Sequence, residues 1–418
     1  MEFEGWSWVP WAAVLLVLFF ALGWLAARID IKQLLSESKA LPASYFKGLN
    51  FLLNEQQDKA IEAFIEVTKA NPETVELQFA LGSLFRRRGE VDRAIRVHQE
   101  LSARADLPAE QRRAAQFELA QDFMKAGLLD HAEGILVELN KVGKPEGDAR
   151  VHRYLLEIYL QEKDWSKAID VARQLGVSAH RDLHKEIAHY FCELATTSYV
   201  HGRRDEAARY LDEALAANPG CVRVNLQSGE WAAAEGRHEI AIDTWRRIEK
   251  QNPDYFGLAA PGLHASFKAL DRSAEGLGLL RSLQEKYPSI DFLNVVYQAT
   301  LEAEGPEKAY TLLRDDVRKN PTLVGLDMLL GAQIEHAAAD KRGDLELMRN
   351  LVHSHASALS VYLCGSCGFR ARQFYWHCPA CGGWETFSPK RTAELDTAER
   401  HLARITIGQL DARSDANL

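Results

Sequence analysis

Hydrophobic positions along this chain fall into three regimes. From Gly5 to Ala27 no residue carries a charge, and Trp8-Val-Pro-Trp11-Ala-Ala-Val-Leu-Leu-Val-Leu-Phe-Phe-Ala-Leu-Gly-Trp24-Leu is unbroken in its apolarity. That run reads as one helix of about 34 Å at 1.5 Å per residue, long enough to span a bilayer once. From about residue 41 to residue 355, large apolar, small and charged positions alternate with helical spacing, which predicts a long all-α body. After about residue 360 the helical period stops, and a short aromatic stretch rich in glycine and cysteine follows.

The middle regime is itself periodic. Asn-Pro pairs recur at Asn71-Pro72, Asn218-Pro219, Asn252-Pro253 and Asn320-Pro321, and Pro219 lies 34 residues before Pro253. That is the tetratricopeptide period. Gly48, Phe51, Ala60, Phe64 and Pro72 form one unit, answered one period later by Gly82, Phe85, Ala94 and His98. Small residues at the Gly48 and Ala60 positions let two antiparallel helices approach closely, Phe51 and Phe64 fill the space between them, and the proline ends the second helix. The same offsets trace about nine units, with longer turns expected around Leu107-Pro108 and from Gly143 to Gly147. Hits at the same offsets one period apart argue against an irregular helical bundle. The expected fold is an all-α superhelical solenoid over residues 41–355, preceded by a transmembrane anchor over 1–28. A metal module over 360–390 and a tail over 391–418 complete the chain.

A stack of helix pairs lines its concave face with the first helix of each pair, and such faces bind peptides and protein segments. The register places Arg86, Arg87, Arg150, Arg153 and Arg223 there. Arginines on such a face suit an acidic or C-terminal peptide. They read equally as solvated surface, the commoner fate of charged runs.

The third regime carries the chemistry. Cys364-Gly-Ser-Cys367-Gly and Cys378-Pro-Ala-Cys381-Gly are two knuckles in which the spacing lets both thiolates face one ion, and each ends on a glycine (Gly368, Gly382) suited to positive φ. Four thiolates build a closed tetrahedral site for a single iron or, alternatively, zinc. Disulfides are the competing reading, and the compartment decides against them. The apolar run opens with Glu2 and Glu4 and is too long for a cleaved leader. Arg28, Lys32 and Lys39 follow it while nothing basic precedes it, so the positive-inside rule puts the body in the reducing cytoplasm. Cys192 and Cys221 lack partners at this spacing and read as small core residues. A formal charge of −9 argues against a nucleic-acid partner. Nor does the chain carry a His-Glu-x-x-His, a phosphate-binding glycine loop or a Gly-x-Ser-x-Gly elbow, so it reads as a non-enzyme. The module is too small to bury a core of its own, so the metal must supply most of its folding free energy. Its rings, among them Trp376 and Trp384, are expected to dock on the last repeat.

The order of parts is recognisable. An N-terminal anchor, about nine repeats and a terminal knuckle pair resemble the lipopolysaccharide assembly protein B family of Gram-negative inner membranes. Asn50-Phe-Leu-Leu-Asn-Glu-Gln-Gln-Asp-Lys-Ala60, Leu81-Gly-Ser-Leu-Phe-Arg-Arg-Arg-Gly-Glu-Val-Asp-Arg-Ala-Ile95 and Tyr375-Trp-His-Cys-Pro-Ala-Cys381 carry the likeness most specifically. The resemblance implies a rubredoxin-like module with iron on Cys364, Cys367, Cys378 and Cys381. It also implies a regulatory adaptor that restrains lipopolysaccharide synthesis by promoting breakdown of the LpxC deacetylase by the membrane AAA protease FtsH. Two alternatives stay open: a redox component passing electrons through a single-iron site, and a scaffold for other lipopolysaccharide assembly and export enzymes. A second copy of the chain is also among the candidate partners.

Overall fold

The computed structural model describes residues 18–24, 43–54, 56–70, 74–142, 148–180, 182–359 and 361–391. They divide into two compact units, Met1–Pro145 and Glu146–Leu418. Of the expected anchor, residues 18–24 are described; they are helical, with Leu18, Phe19, Phe20, Leu22 and Trp24 exposed. Among the described residues no helix is long and apolar enough to cross a membrane. The rest of the expected anchor, the longer turn expected from Gly143 to Gly147 and the tail beyond Arg391 lie outside them.

The first unit contains three helix pairs: α1 (Ala43–Leu53) with α2 (Gln57–Ala70), α3 (Val75–Arg88) with α4 (Val91–Ala103), and α5 (Ala109–Ala126) with α6 (Leu129–Val142). In the second, α7 (Ala149–Glu162) pairs with α8 (Trp165–Ala179), α9 (His184–Val200) with α10 (Arg204–Ala217), and α11 (Val222–Ala234) with α12 (His238–Arg246). The short α13 (Ile248–Gln251) and a 3-10 turn at Pro253–Tyr255 lead into α14 (Phe256–Ala269), which pairs with α15 (Ser273–Lys286). The last pairs are α16 (Ile290–Glu304) with α17 (Pro306–Lys319), and α18 (Leu323–Glu335) with α19 (Ala339–Leu359). Among the described residues these helices make nine pairs.

Local chemistry explains both the turns and the close approach. The first helix of several pairs ends on a left-handed residue, as at Gly89 (φ 87°), whose N–H donates to the Arg86 carbonyl at 3.1 Å while Glu90 N–H donates to Phe85 at 2.9 Å. Lys163 and Asp271 occupy the same conformation without being glycine. In the first two repeats the small residue is a glycine where a side chain has no room: a Cβ on Gly48 would stand 2.5 Å from the Phe64 ring, and one on Gly82 2.5 Å from His98 Nε2. His98 replaces the phenyl ring of the preceding repeat, so its polar edge needs a partner in the core. Asp122 of the next pair supplies it, 2.5 Å from His98 Nδ1. Around Leu107-Pro108 the longer connection is present, with Leu107 buried beside Val75, Leu101 and Ala115.

Candidate metal centre and its docking surface

The two knuckles fold alike. Strand β1 (Tyr362–Leu363) pairs antiparallel with β2 (Arg370–Ala371), and the first knuckle is the turn between them. Gly368 (φ 74°) donates its N–H to the Cys364 carbonyl at 2.9 Å, and Cys364 N–H donates to Phe369 at 2.9 Å. Gly382 (φ 69°) repeats this toward Cys378 at 2.9 Å, with Cys378 N–H donating to Gly383 at 2.8 Å. Both glycines therefore sit in the left-handed conformation their positions require.

These turns bring the four sulfurs within 4.8 Å of one another. Cys364 and Cys381 are 3.8 Å apart, Cys367 and Cys378 3.7 Å. A tetrahedron of thiolates with metal–sulfur bonds of about 2.3 Å has edges of about 3.8 Å, so the set fits one four-coordinate ion. The spacing is far from the roughly 2.05 Å of a disulfide, and all four thiols are free. Cys364 and Cys378 are buried while Cys367 and Cys381 face solvent. Burial pushes the Cys364 thiol up, but the Thr386 hydroxyl and the N–H groups of Cys367 and Ser366 favour the thiolate more strongly and bring it down to about 7. Burial and the neighbouring thiols push Cys381 up to about 12. The module's own buried cluster is small: Tyr362, Cys364, Cys378 and Phe387.

The module rests on helices far earlier in the chain, not on the last repeat where its rings were expected. Sequence proximity favours α18 and α19, but stacking and hydrogen-bonding partners at other repeats decide the placement. Trp384 stacks on His189 of α9 (centroids 5.0 Å, 18°) and meets Trp165 of α8 and Tyr190 edge-on. Trp376 lies parallel to Tyr255 at 5.4 Å, and with Phe374 it extends the core built by α11 to α16. Polar contacts fix the other flank. The Tyr362 hydroxyl donates to Asp291 at 2.6 Å across 71 residues, Arg391 Nε reaches the same carboxylate at 2.8 Å, and Lys390 pairs with Asp254 at 2.9 Å. His377 packs its ring on Trp384 at 4.5 Å and is held low by burial.

The five arginines separate into two groups. Arg86 reaches Asp122 at 2.8 Å and Glu118 at 2.5 Å, bridging α3 to α5 within the first unit. Arg223 is buried, bonds Glu193 of α9 at 2.8 Å and lies 5.9 Å over the Trp384 ring. Both are tied into the fold. Arg87 and Arg153 are exposed, and Arg150, its side chain 71% exposed, pairs with Asp148, the N-cap of α7. Cys221 lies in the core as its sequence context suggests, but nothing in the sequence signals that His189, Tyr255, Asp291 and Glu385 join it under the module. No local pattern encodes a contact across such separations.

A tetratricopeptide scaffold that folds a four-cysteine, rubredoxin-type module against its own helices is the class of protein this structure defines. Family models agree: one described as a tetratricopeptide repeat matches residues 47–107 and 192–256, and one described as a rubredoxin metal binding domain matches residues 362–389. Lipopolysaccharide assembly protein B of Escherichia coli (strain K12) is 34% identical over 382 residues, covering 90% of this chain and 97% of that protein. The protein of the same name from Haemophilus influenzae (strain Rd) is 30% identical over 394 residues, covering 91% and 98%. The chain belongs to the lipopolysaccharide assembly protein B family.

Proposed function

We propose that this chain is a membrane-tethered adaptor that limits lipopolysaccharide synthesis by bringing the LpxC deacetylase to the FtsH protease for degradation. The observation that carries the reading is the match to the family across about nine-tenths of the chain, which takes in both the solenoid and the metal module. The charge-free run from Gly5 to Ala27 supplies a single inner-membrane span, with Arg28 and Lys32 holding the body on the cytoplasmic side. Cys364, Cys367, Cys378 and Cys381 hold one ion, iron in this reading and zinc as the alternative occupant. All four positions are filled by protein sulfur, so the ion cross-links the module and offers no open site for hydrolysis. The adaptor is accordingly not an enzyme. The solvent-facing Cys367 and Cys381 are the feature that keeps the redox alternative in view, and a module isolated with zinc excludes it.

Partner capture on the solenoid is assigned to the exposed arginines Arg87, Arg150 and Arg153. The double change Arg150→Glu with Arg153→Glu is expected to lower recovery of both partners in a pull-down from membranes roughly tenfold, equivalent to about 1.4 kcal/mol. Helical content should hold, since exposed pairs contribute little to folding and an acidic residue in the first turn of α7 suits the helix dipole. Undiminished recovery of protease and deacetylase by the double variant removes Arg150 and Arg153 from partner capture.

A further inference from the structure

Beneath the module lies a second group of metal-binding side chains, separate from the four cysteines. His189, Cys221 and Glu385 each offer one donor atom, and those atoms lie within 4.8 Å of one another. They come from three elements: His189 from α9, Cys221 from the N-cap of α11, and Glu385 from the module. His189 and Cys221 are fully buried, and the Glu385 side chain is 18% exposed.

Three further observations point to a ligand. First, His189 Nε2 lies 3.1 Å from Glu385 Oε1, and the buried Nδ1 has no hydrogen-bond partner. A fully buried imidazole with an unmatched nitrogen is costly. Two ligands of one tetrahedral ion, with bonds of about 2.0–2.2 Å, sit about 3.3 Å apart with their lone pairs directed between them instead of at each other. Second, Glu385 occupies the left-handed region at φ 50°, and its N–H donates to the Trp376 carbonyl at 2.8 Å. A non-glycine residue held there, with its carboxylate turned under the module, is strain maintained by the surrounding structure. Third, the charges balance. Arg223 and Glu193 face the cluster and pair with each other at 2.8 Å. A Cys221 thiolate, beside the Cys192 thiol, and the Glu385 carboxylate would then neutralise one divalent cation.

We propose that His189, Cys221 and Glu385 form a second metal site, for a zinc-like divalent transition ion, that clips the rubredoxin-type module to the solenoid. One nitrogen, one sulfur and one oxygen are the donors of a borderline ion and not of magnesium or calcium. Closing the set around an ion requires one side chain to move by about an ångström, with a fourth position left for water. Because the ligands span α9, α11 and the module, occupancy couples metal supply to module docking.

The test is a metal count on the full-length chain purified in detergent, equilibrated with Zn2+ and freed of loosely held ions by gel filtration. The proposal expects two ions per chain. Glu385→Gln, which preserves shape, and Cys221→Ala should each hold one, with the four-cysteine ion retained. Co2+ in place of Zn2+ should give a thiolate charge-transfer band that falls only modestly in either variant, since four of five thiolate ligands remain. One ion per chain in the unsubstituted protein, or two in folded Glu385→Gln, overturns the proposal and leaves a buried histidine–carboxylate contact. Should Cys221→Ala fail to fold, the unsubstituted count and Glu385→Gln decide the question between them.

Discussion

Cys378→Ser is expected to release the module's ion and unfold the chain from about Val361 onward while the helix pairs remain. The module buries only Tyr362, Cys364, Cys378 and Phe387 in a cluster of its own, and its two strands are two residues each. Such a unit has too little core to fold unaided. Structural ions of this kind contribute on the order of 10 kcal/mol, more than the whole stability of many domains. Losing one of four thiolates removes most of that contribution, and with it the left-handed turns at Gly368 and Gly382 that only make sense around an ion. The checks are elemental analysis, proteolytic cleavage appearing after about residue 360, and far-ultraviolet dichroism that changes little. Unchanged metal content in the serine variant contradicts the four-thiolate assignment.

Trp384→Ala should separate docking from metal binding. The indole touches His189, Tyr190, Trp165 and His377, and Arg223 lies over its ring. Truncating a packed tryptophan costs about 3–5 kcal/mol, and much of that loss falls on the joint between module and solenoid. The variant is expected to keep the four-cysteine ion but to expose α9 and the turn at Tyr255. Amide exchange there should quicken by roughly a hundredfold or more, since each 1.4 kcal/mol is a factor of ten. Unaltered exchange at α9 and Tyr255 would show that Trp376, Phe374 and the Asp291 contacts suffice to hold the module.

Much of this was legible before any coordinates. The pairing of Gly48 with Phe64, and of Gly82 with His98 one period later, predicts which helices touch and how closely, and a Cβ at either glycine would indeed collide with the named ring. The knuckles were equally readable, because two residues between cysteines and a following glycine encode a local turn. Readings that depended on distant partners fared differently. Arg86 and Arg223 sit on first helices as the register requires, but Asp122, Glu118 and Glu193 arrive from neighbouring repeats and bind them. The module's seat was hidden for the same reason. Trp384 reads as one aromatic among several, and only the fold brings it to His189 and Trp165, some two hundred residues earlier.

The adaptor reading makes a demand on the cell that the structure-directed variants do not. If the chain is the proposed adaptor, its anchor, exposed solenoid arginines and metal module together hold two partners in reach, so loss of the whole chain should slow the deacetylase's breakdown without changing its turnover number. A pulse-chase of the deacetylase in depleted and normal cells measures this directly. The account predicts a half-life lengthened several-fold on depletion, restored by the intact chain and not by Cys378→Ser. An identical half-life with and without the protein contradicts it, and leaves the scaffold or redox reading as the better description of this family member.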